Sequence, residues 1–293
     1  MNHFKRKITS RFFILVILIF FQLPTYGQYD YNTHLFYDNI SYTNPASIAS
    51  LDGMNGSFYT YSYSGYRDSY CRMAVNMPLK RLNSGIGVHA NCDPEYPSYF
   101  DLGLVYGHKF EIRQNFSVSV GTDISLIRKE FPTYIYNNGA FYFTDAIPIY
   151  LMDIDMGIWF EFHNIIAGIK VKNINSPSKE NYIAGQAYIY SLEPYFTIFG
   201  NYNTSINEKH ILRNSLMIDF LGLNANYFIQ NHLVIKNTFI IGYTVQFDKS
   251  FYSLYPTIGF SLGKKFDFLL STRAITTVTH AKIVIESFFN YKF

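Results

Sequence analysis

The sequence predicts an all-β protein: a transmembrane antiparallel β-barrel of roughly 12–16 strands, with about 14 as the central expectation. Three observations predict it. First, the carboxy-terminal residues 282–293 alternate, with Ile283, Ile285, Phe289, Tyr291 and Phe293 on one face and Lys282, Glu286, Asn290 and Lys292 on the other. Second, comparable period-2 runs fill most of the chain, which is the pattern of strands with one apolar and one polar face. Third, the chain is 19% aromatic, with 28 Phe and 27 Tyr against one Trp, yet only 15% charged. A water-soluble surface built from that composition would aggregate. Mean hydropathy is zero, as expected when lipid-facing and lumen-facing residues cancel.

The amino-terminus reads as an export signal over residues 1–27. Lys5, Arg6, Lys7 and Arg11 form a positive region, Phe12 to Phe21 an apolar core, and Pro24-Thr25-Tyr26-Gly27 a small-residue cleavage region before Gln28. The apolar core is about ten residues, half of the ~20 that a spanning helix needs. No cysteine follows the cleavage region, so a lipoprotein anchor is not expected. Without the leader's four basic residues the chain carries 20 basic against 21 acidic side chains, and that balance offers nucleic acid no electrostatic footing.

Residues 28–56 lack sustained alternation and contain the turn-like Thr43-Asn44-Pro45-Ala46. They are expected to form a non-barrel segment, either a plug in the lumen or a strap beneath it. From residue 57 to 293 the barrel is expected. Clear alternation occupies Ile86 to Cys92, Phe100 to Phe110, Phe116 to Leu126, Met152 to Phe162, Leu223 to Ile229, Leu233 to Phe247, Phe266 to Thr272 and Lys282 to Phe293. Weaker runs lie near Phe58 to Tyr66, Tyr70 to Leu79, Ile165 to Val171, Tyr195 to Phe199, Ser215 to Phe220 and Ile258 to Leu262. Asn83-Ser84-Gly85, Asp248-Lys249-Ser250 and Gly263-Lys264 read as short hairpin turns. Asp93 to Ser98, Pro132 to Pro148 and Asn173 to Gly185 read as longer connections. In an outer-membrane barrel the short turns belong in the periplasm and the long ones outside.

Chemistry-bearing motifs are scarce. Asp153, Asp155, Glu161 and His163 share the polar face of one run and read as lumen residues paired with Lys109, Lys170 or Lys172. The seven histidines beyond the leader are scattered, and no His-Glu-x-x-His, Gly-x-Ser-x-Gly, phosphate loop or Cys/His metal spacing accompanies them. An enzyme is therefore not expected, nor a cofactor or metal. Cys71 and Cys92 fall nearly opposite each other in a hairpin turning through Lys80 to Ser84, which permits a disulfide; a register slip would leave two free thiols. Tyr134, Tyr136, Phe141 and Tyr142 concentrate aromatic area in the 132–148 connection. They read either as a partner-binding loop or as part of the aromatic girdle at the headgroups.

Two stretches carry a family resemblance. Tyr37-Asp38-Asn39 followed by Tyr42-Thr43-Asn44-Pro45-Ala46-Ser47 resembles the amino-terminal signature of the PorP/SprF family of type IX secretion and gliding-motility membrane proteins. Asp155-Met156-Gly157-Ile158-Trp159-Phe160, then Asn164, then Ala167-Gly168-Ile169-Lys170-Val171-Lys172-Asn173, is similar to that family's paired central strands. The signature positions are Asn44, Pro45, Ala46, Gly157 and Gly168. The resemblance implies a multi-pass barrel in a Bacteroidota-type outer membrane, bathed in its lipid. It also implies work with an exported surface protein that carries a type IX carboxy-terminal sorting domain, alongside other secretion components. The alternative is an outer-membrane porin or hydrophobic-substrate channel.

Overall fold

The computed structural model describes residue 35 and residues 40–63, 69–93, 99–137, 140–183, 186–221, 224–247, 252–262, 265–276 and 281–293. The export signal expected over 1–27 lies outside the described residues. Sixteen strands follow one another: β1 (Asn55–Tyr63), β2 (Ser69–Leu79), β3 (Ser84–Asp93), β4 (Tyr99–Arg113), β5 (Phe116–Asn137), β6 (Ala140–Phe162), β7 (Ile165–Lys172), β8 (Ser178–Ile183), β9 (Gln186–Ser191), β10 (Tyr195–Asn207), β11 (His210–Leu221), β12 (Asn224–Ile235), β13 (Phe239–Phe247), β14 (Tyr252–Leu262), β15 (Phe266–Thr276) and β16 (Ala281–Lys292). Fourteen of them close an antiparallel barrel in chain order, β1 pairing with β16 from Asn55↔Lys292 to Tyr63↔Val284. The other two, β8 and β9, form a separate hairpin between β7 and β10.

Exposure along the strands shows which solvent the wall faces. In β4 the outward Leu102 and Leu104 are 53% and 64% exposed, while Asp101, Gly103 and Val105, which alternate with them, are buried. The same inversion recurs around the wall. Met73, Ile124, Met152, Ile258 and Ile285 face out, whereas Arg72, His89, Asp153, Lys170, Asp219, Gln230, His232 and Glu286 are buried inside. An apolar exterior over a polar interior is stable only when lipid surrounds the wall and the ladder satisfies the backbone.

The start of β1, the end of β16 and several short turns share one rim. There Asn83, Asn115, His163, Lys236 and Asn237 adopt left-handed backbone (φ 47–65°), closing the β2–β3, β4–β5, β6–β7 and β12–β13 hairpins. His163 thus stands in a turn, outside the lumen stripe in which the alternation placed it. Three expectations require correction. The run Leu233 to Phe247 is two strands, broken at 236–238. Pro132 to Pro148 is no loop, because β5 and β6 pair through it with a bulge between Phe131 and Thr133. Finally, β13 and β14 are joined at the rim opposite the tight turns, so Asp248-Lys249-Ser250 does not belong with the periplasmic set.

Candidate functional site: a strap seated on a row of glycines

Before the first strand the chain runs inside the barrel. A single helical turn, Ile40–Thr43, leads to Asn44, and a 3-10 helix follows over Pro45–Ser50. Asn44 has extended backbone (φ −151°, ψ 121°) and its Oδ1 accepts from the Ala46 amide at 2.9 Å, so it caps the helix. Pro45 suits the first helical position because the N–H it lacks would have no partner there. Ser47 Oγ donates to the Asn44 carbonyl at 2.8 Å. Asn44, Ala46, Ser47 and Ile48 are at most 2% exposed, although this segment belongs to no strand.

The seat for this strap is written in the register. Gly85 pairs with Gly107, Gly107 with Gly121, and Gly121 with Gly157, so four strands present glycine side by side; Lys170 is next in the row. A Cβ at Gly85 would lie 2.3 Å from the Ile48 carbonyl oxygen. One at Gly107 would lie 2.8 Å from Ile48 Cγ2, and one at Gly121 2.5 Å from Ala46 Cα. At Gly157 it would meet Asn44 Oδ1 at 2.0 Å, and at Gly168 Asn44 Nδ2 at 2.8 Å. Glycine is required here because another backbone lies directly against the sheet. Asn44 Nδ2 donates to the Ile158 and Ile169 carbonyls at 3.0 and 3.1 Å, and those two residues are partners across β6 and β7. The five signature positions Asn44, Pro45, Ala46, Gly157 and Gly168 therefore meet at one contact.

The strap reaches both walls. Ala46 packs with Trp159, Phe199, Met217 and Phe228, Trp159 stacking on Phe199 at 5.3 Å. Leu35, fully buried, packs with Tyr59, Tyr61, Tyr70, Val234, Ile240, Leu269 and Phe288. Around it several charged side chains pair, which offsets the cost of taking them out of water. Lys170 Nζ lies 3.0 Å from Asp155 and donates to the Tyr42 carbonyl at 3.3 Å, and Arg72 sits 4.2 Å over the Tyr42 ring. Lys109 bonds Glu161 at 2.7 Å. His89 is held between Asp101 (3.0 Å) and Asp123 (3.6 Å). Ser125 Oγ is 3.5 Å from His89 Nε2, but that nitrogen faces Asp101, so the group lacks the nucleophile–base alignment that acyl transfer needs.

At the opposite rim β5 and β6 rise past their neighbours. β4 leaves β5 at Lys129, and beyond it Glu130 to Asn137 pair, among the described residues, only with β6, a ribbon of roughly 25 Å at the rise of extended chain. Tyr134, Tyr136, Phe141 and Tyr142 stand on this ribbon, where Tyr134 pairs with Phe143, Tyr136 with Phe141 and Ile135 with Tyr142; their side chains lie outside the described residues. At its base Tyr190 of β9 covers the inward-facing Ile127, Ile149 and Leu151. Cys71 and Cys92, partners in the β2–β3 register, are joined by a disulfide with a Cα separation of 5.2 Å.

The family model described as "Type IX secretion system membrane protein PorP/SprF" matches residues 25–283. The chain belongs to the PorP/SprF family. Among solved structures it is similar to the toluene transporter TbuX of Ralstonia pickettii, with 9% identity, TM-score 0.59, and 85% of this chain and 92% of that one covered. It is also similar to a FadL homologue of Pseudomonas aeruginosa (10% identity, TM-score 0.56, 86% and 93% covered). A third is the toluene transporter TodX of Pseudomonas putida (8% identity, TM-score 0.56, 93% and 97% covered). At such identities the likeness is one of fold. No curated relative matches the sequence. This PorP/SprF protein is an outer-membrane barrel of the type IX secretion system. Of the residues that build its strap seat, the sequence reading missed Gly85, Gly107, Gly121 and the Trp159–Phe199 stack. The glycines are separated irregularly along the chain and align only through the register.

Proposed function

We propose that this PorP/SprF protein is a non-catalytic outer-membrane anchor, which binds or holds an exported surface protein carrying a type IX carboxy-terminal sorting domain. Its partners are that cargo and other components of the secretion or gliding apparatus. The observation that carries this reading is the strap. Asn44 to Ser50 lies inside the lumen against β3–β7, Leu35 packs against the far wall, and charged side chains pair around them. A barrel occupied in this way is a rigid platform whose recognition surface is its outer rim, where the β5–β6 ribbon and the β8–β9 hairpin project.

The porin or hydrophobic-substrate channel is the rival reading. The toluene transporters share the architecture, but passage through this lumen would require the strap to leave a seat that it contacts at backbone distance. Two measurements separate the readings. Shortening the ribbon or the β8–β9 hairpin should release the exported partner from the cell surface while the barrel still folds. The wild-type barrel in planar bilayers should show no steady conductance; a steady conductance with an unchanged surface proteome on deletion would favour the channel.

A further inference from the structure

One junction in the barrel wall differs from all others among the described residues. Elsewhere the ladder between neighbouring strands stops within one or two residues of the point where one strand ends or rises past its neighbour. Between β14 and β15 it runs only from Leu262↔Phe266 to Thr257↔Ser271, yet both strands continue for five more residues, Tyr252 to Pro256 and Thr272 to Thr276. Each remains paired on its other side, to β13 through Phe247↔Tyr252 and to β16 through Thr276↔Ala281. The barrel is thus unzipped along one seam of roughly 17 Å at the rise of extended chain.

Pro256 explains where the seam begins. It is the first residue past the last paired position, and its carbonyl accepts a bond from Ser271 Oγ of β15 at 3.2 Å. In an antiparallel ladder a residue's N–H and C=O point to the same neighbour, so the donor missing from Pro256 is the one that β15 would have received. Proline within a sheet marks an edge. This barrel, closed at its other junctions, has an edge there. The seam faces the bilayer, since Tyr252 and Leu254 are 67% and 48% exposed on the outward face. Behind it stand the buried Tyr255 and Ser253, and the Ser253 hydroxyl is buried without a hydrogen-bond partner.

We propose that this seam is a lateral docking slot for an extended polypeptide segment of the exported partner. The proposal rests on the anchor reading above and specifies where and how the partner is held. The chemistry selects the occupant. Two facing strand edges present rows of N–H and C=O groups at membrane depth, where water is scarce and each unsatisfied group is costly. An acyl chain has nothing to offer them. A polypeptide strand carries donors and acceptors at the matching spacing, which is recognition by strand addition.

The test places a photoreactive phenylalanine analogue at Leu254, at Ala274 and, as a control on the intact part of the same wall, at Ile258, in the full-length protein in its native membrane. Cross-links from Leu254 and Ala274, but not Ile258, should reach a protein that bears the sorting domain and leaves the cell surface when the barrel gene is deleted. In parallel, P256V restores the missing N–H and extends the ladder. The amides of Tyr252 and Leu254 should then exchange at least tenfold more slowly, and surface attachment of the partner should fall at least tenfold, with the barrel keeping its heat-modifiable mobility. Equal cross-linking at all three positions, or lipid as the only adduct, overturns the slot, and does so even should the proline variant fail to fold. If deletion releases a partner but the seam positions never touch it, the anchor reading stands and the slot fails. If deletion releases no exported protein, the anchor reading itself fails.

Discussion

A single methyl group at Gly157 should unseat the strap. The Cβ of G157A would fall 2.0 Å from Asn44 Oδ1, 2.9 Å from Asn44 Cγ and 3.0 Å from Pro45 Cδ. The first of these contacts is impossible, so either Asn44 withdraws or the strap lifts. Withdrawal forfeits three hydrogen bonds, from Nδ2 to the Ile158 and Ile169 carbonyls and from the Ala46 amide to Oδ1. At about 1 kcal/mol net for each bond and about 1–2 kcal/mol for overpacking, the seated state loses roughly 4–5 kcal/mol. At 1.4 kcal/mol per decade this shifts the seated-to-released ratio roughly a thousandfold. Gly200 is the internal control, because a Cβ there meets nothing within 4 Å. Hydrogen exchange of the Ala46 and Ser47 amides in nanodisc-embedded protein reads the effect, with single-channel recording beside it. G157A should expose those amides and bring a conductance, while G200A behaves as wild type. The penalty of G157A should shrink in an N44G background, since the two residues are directly coupled. The reasoning fails if G157A protects Ala46 and Ser47 as well as G200A does.

Other predictions follow from the same contacts. M156R puts a charge on the outward face midway along the part of β6 that lies in the barrel wall and should cost about 2–4 kcal/mol, whereas E161Q, which weakens the partly exposed pair with Lys109, should be milder; urea titration of refolded barrels compares them. D155N removes the carboxylate that lies 3.0 Å from the buried Lys170 ammonium and should cost about 3–5 kcal/mol, most of it recovered when K170M is added; equal stability of the single and double variants would contradict the pairing. The unreduced protein in denaturant should take up no maleimide, and uptake of two equivalents would show that Cys71 and Cys92 are free. Serine at both should cost up to about 3 kcal/mol for a loop of this length.

The wall was legible because lipid and lumen impose opposite polarities at period 2, and the runs Phe100 to Phe110, Met152 to Phe162 and Lys282 to Phe293 carry that signal most clearly. The same signal hid the break at 236–238. Val234 and Ile240 both face inward, so the three-residue turn preserves the parity and the alternation runs through it. Pro132 and Pro148 suggested a loop, but an isolated ribbon has free edges on which proline is tolerated. At the site, Asn44-Pro45-Ala46 and the two central glycines stood out as a local resemblance. Their contact, and the part that Gly85, Gly107 and Gly121 play in it, required the register, because residues 85, 107, 121 and 157 become neighbours only once four strands are aligned. The seam at Pro256 was invisible for the same reason, since a missing ladder is a property of two strands.

The central claim is that this barrel holds particular exported proteins at the cell surface, and a quantitative comparison of secreted and surface proteomes with and without it tests that claim most directly. The account predicts that one or a few proteins bearing the type IX sorting domain lose export or surface attachment while the rest of the outer membrane is unchanged. A deletion that alters only the uptake of small molecules, with every sorting-domain protein still in place, would contradict it.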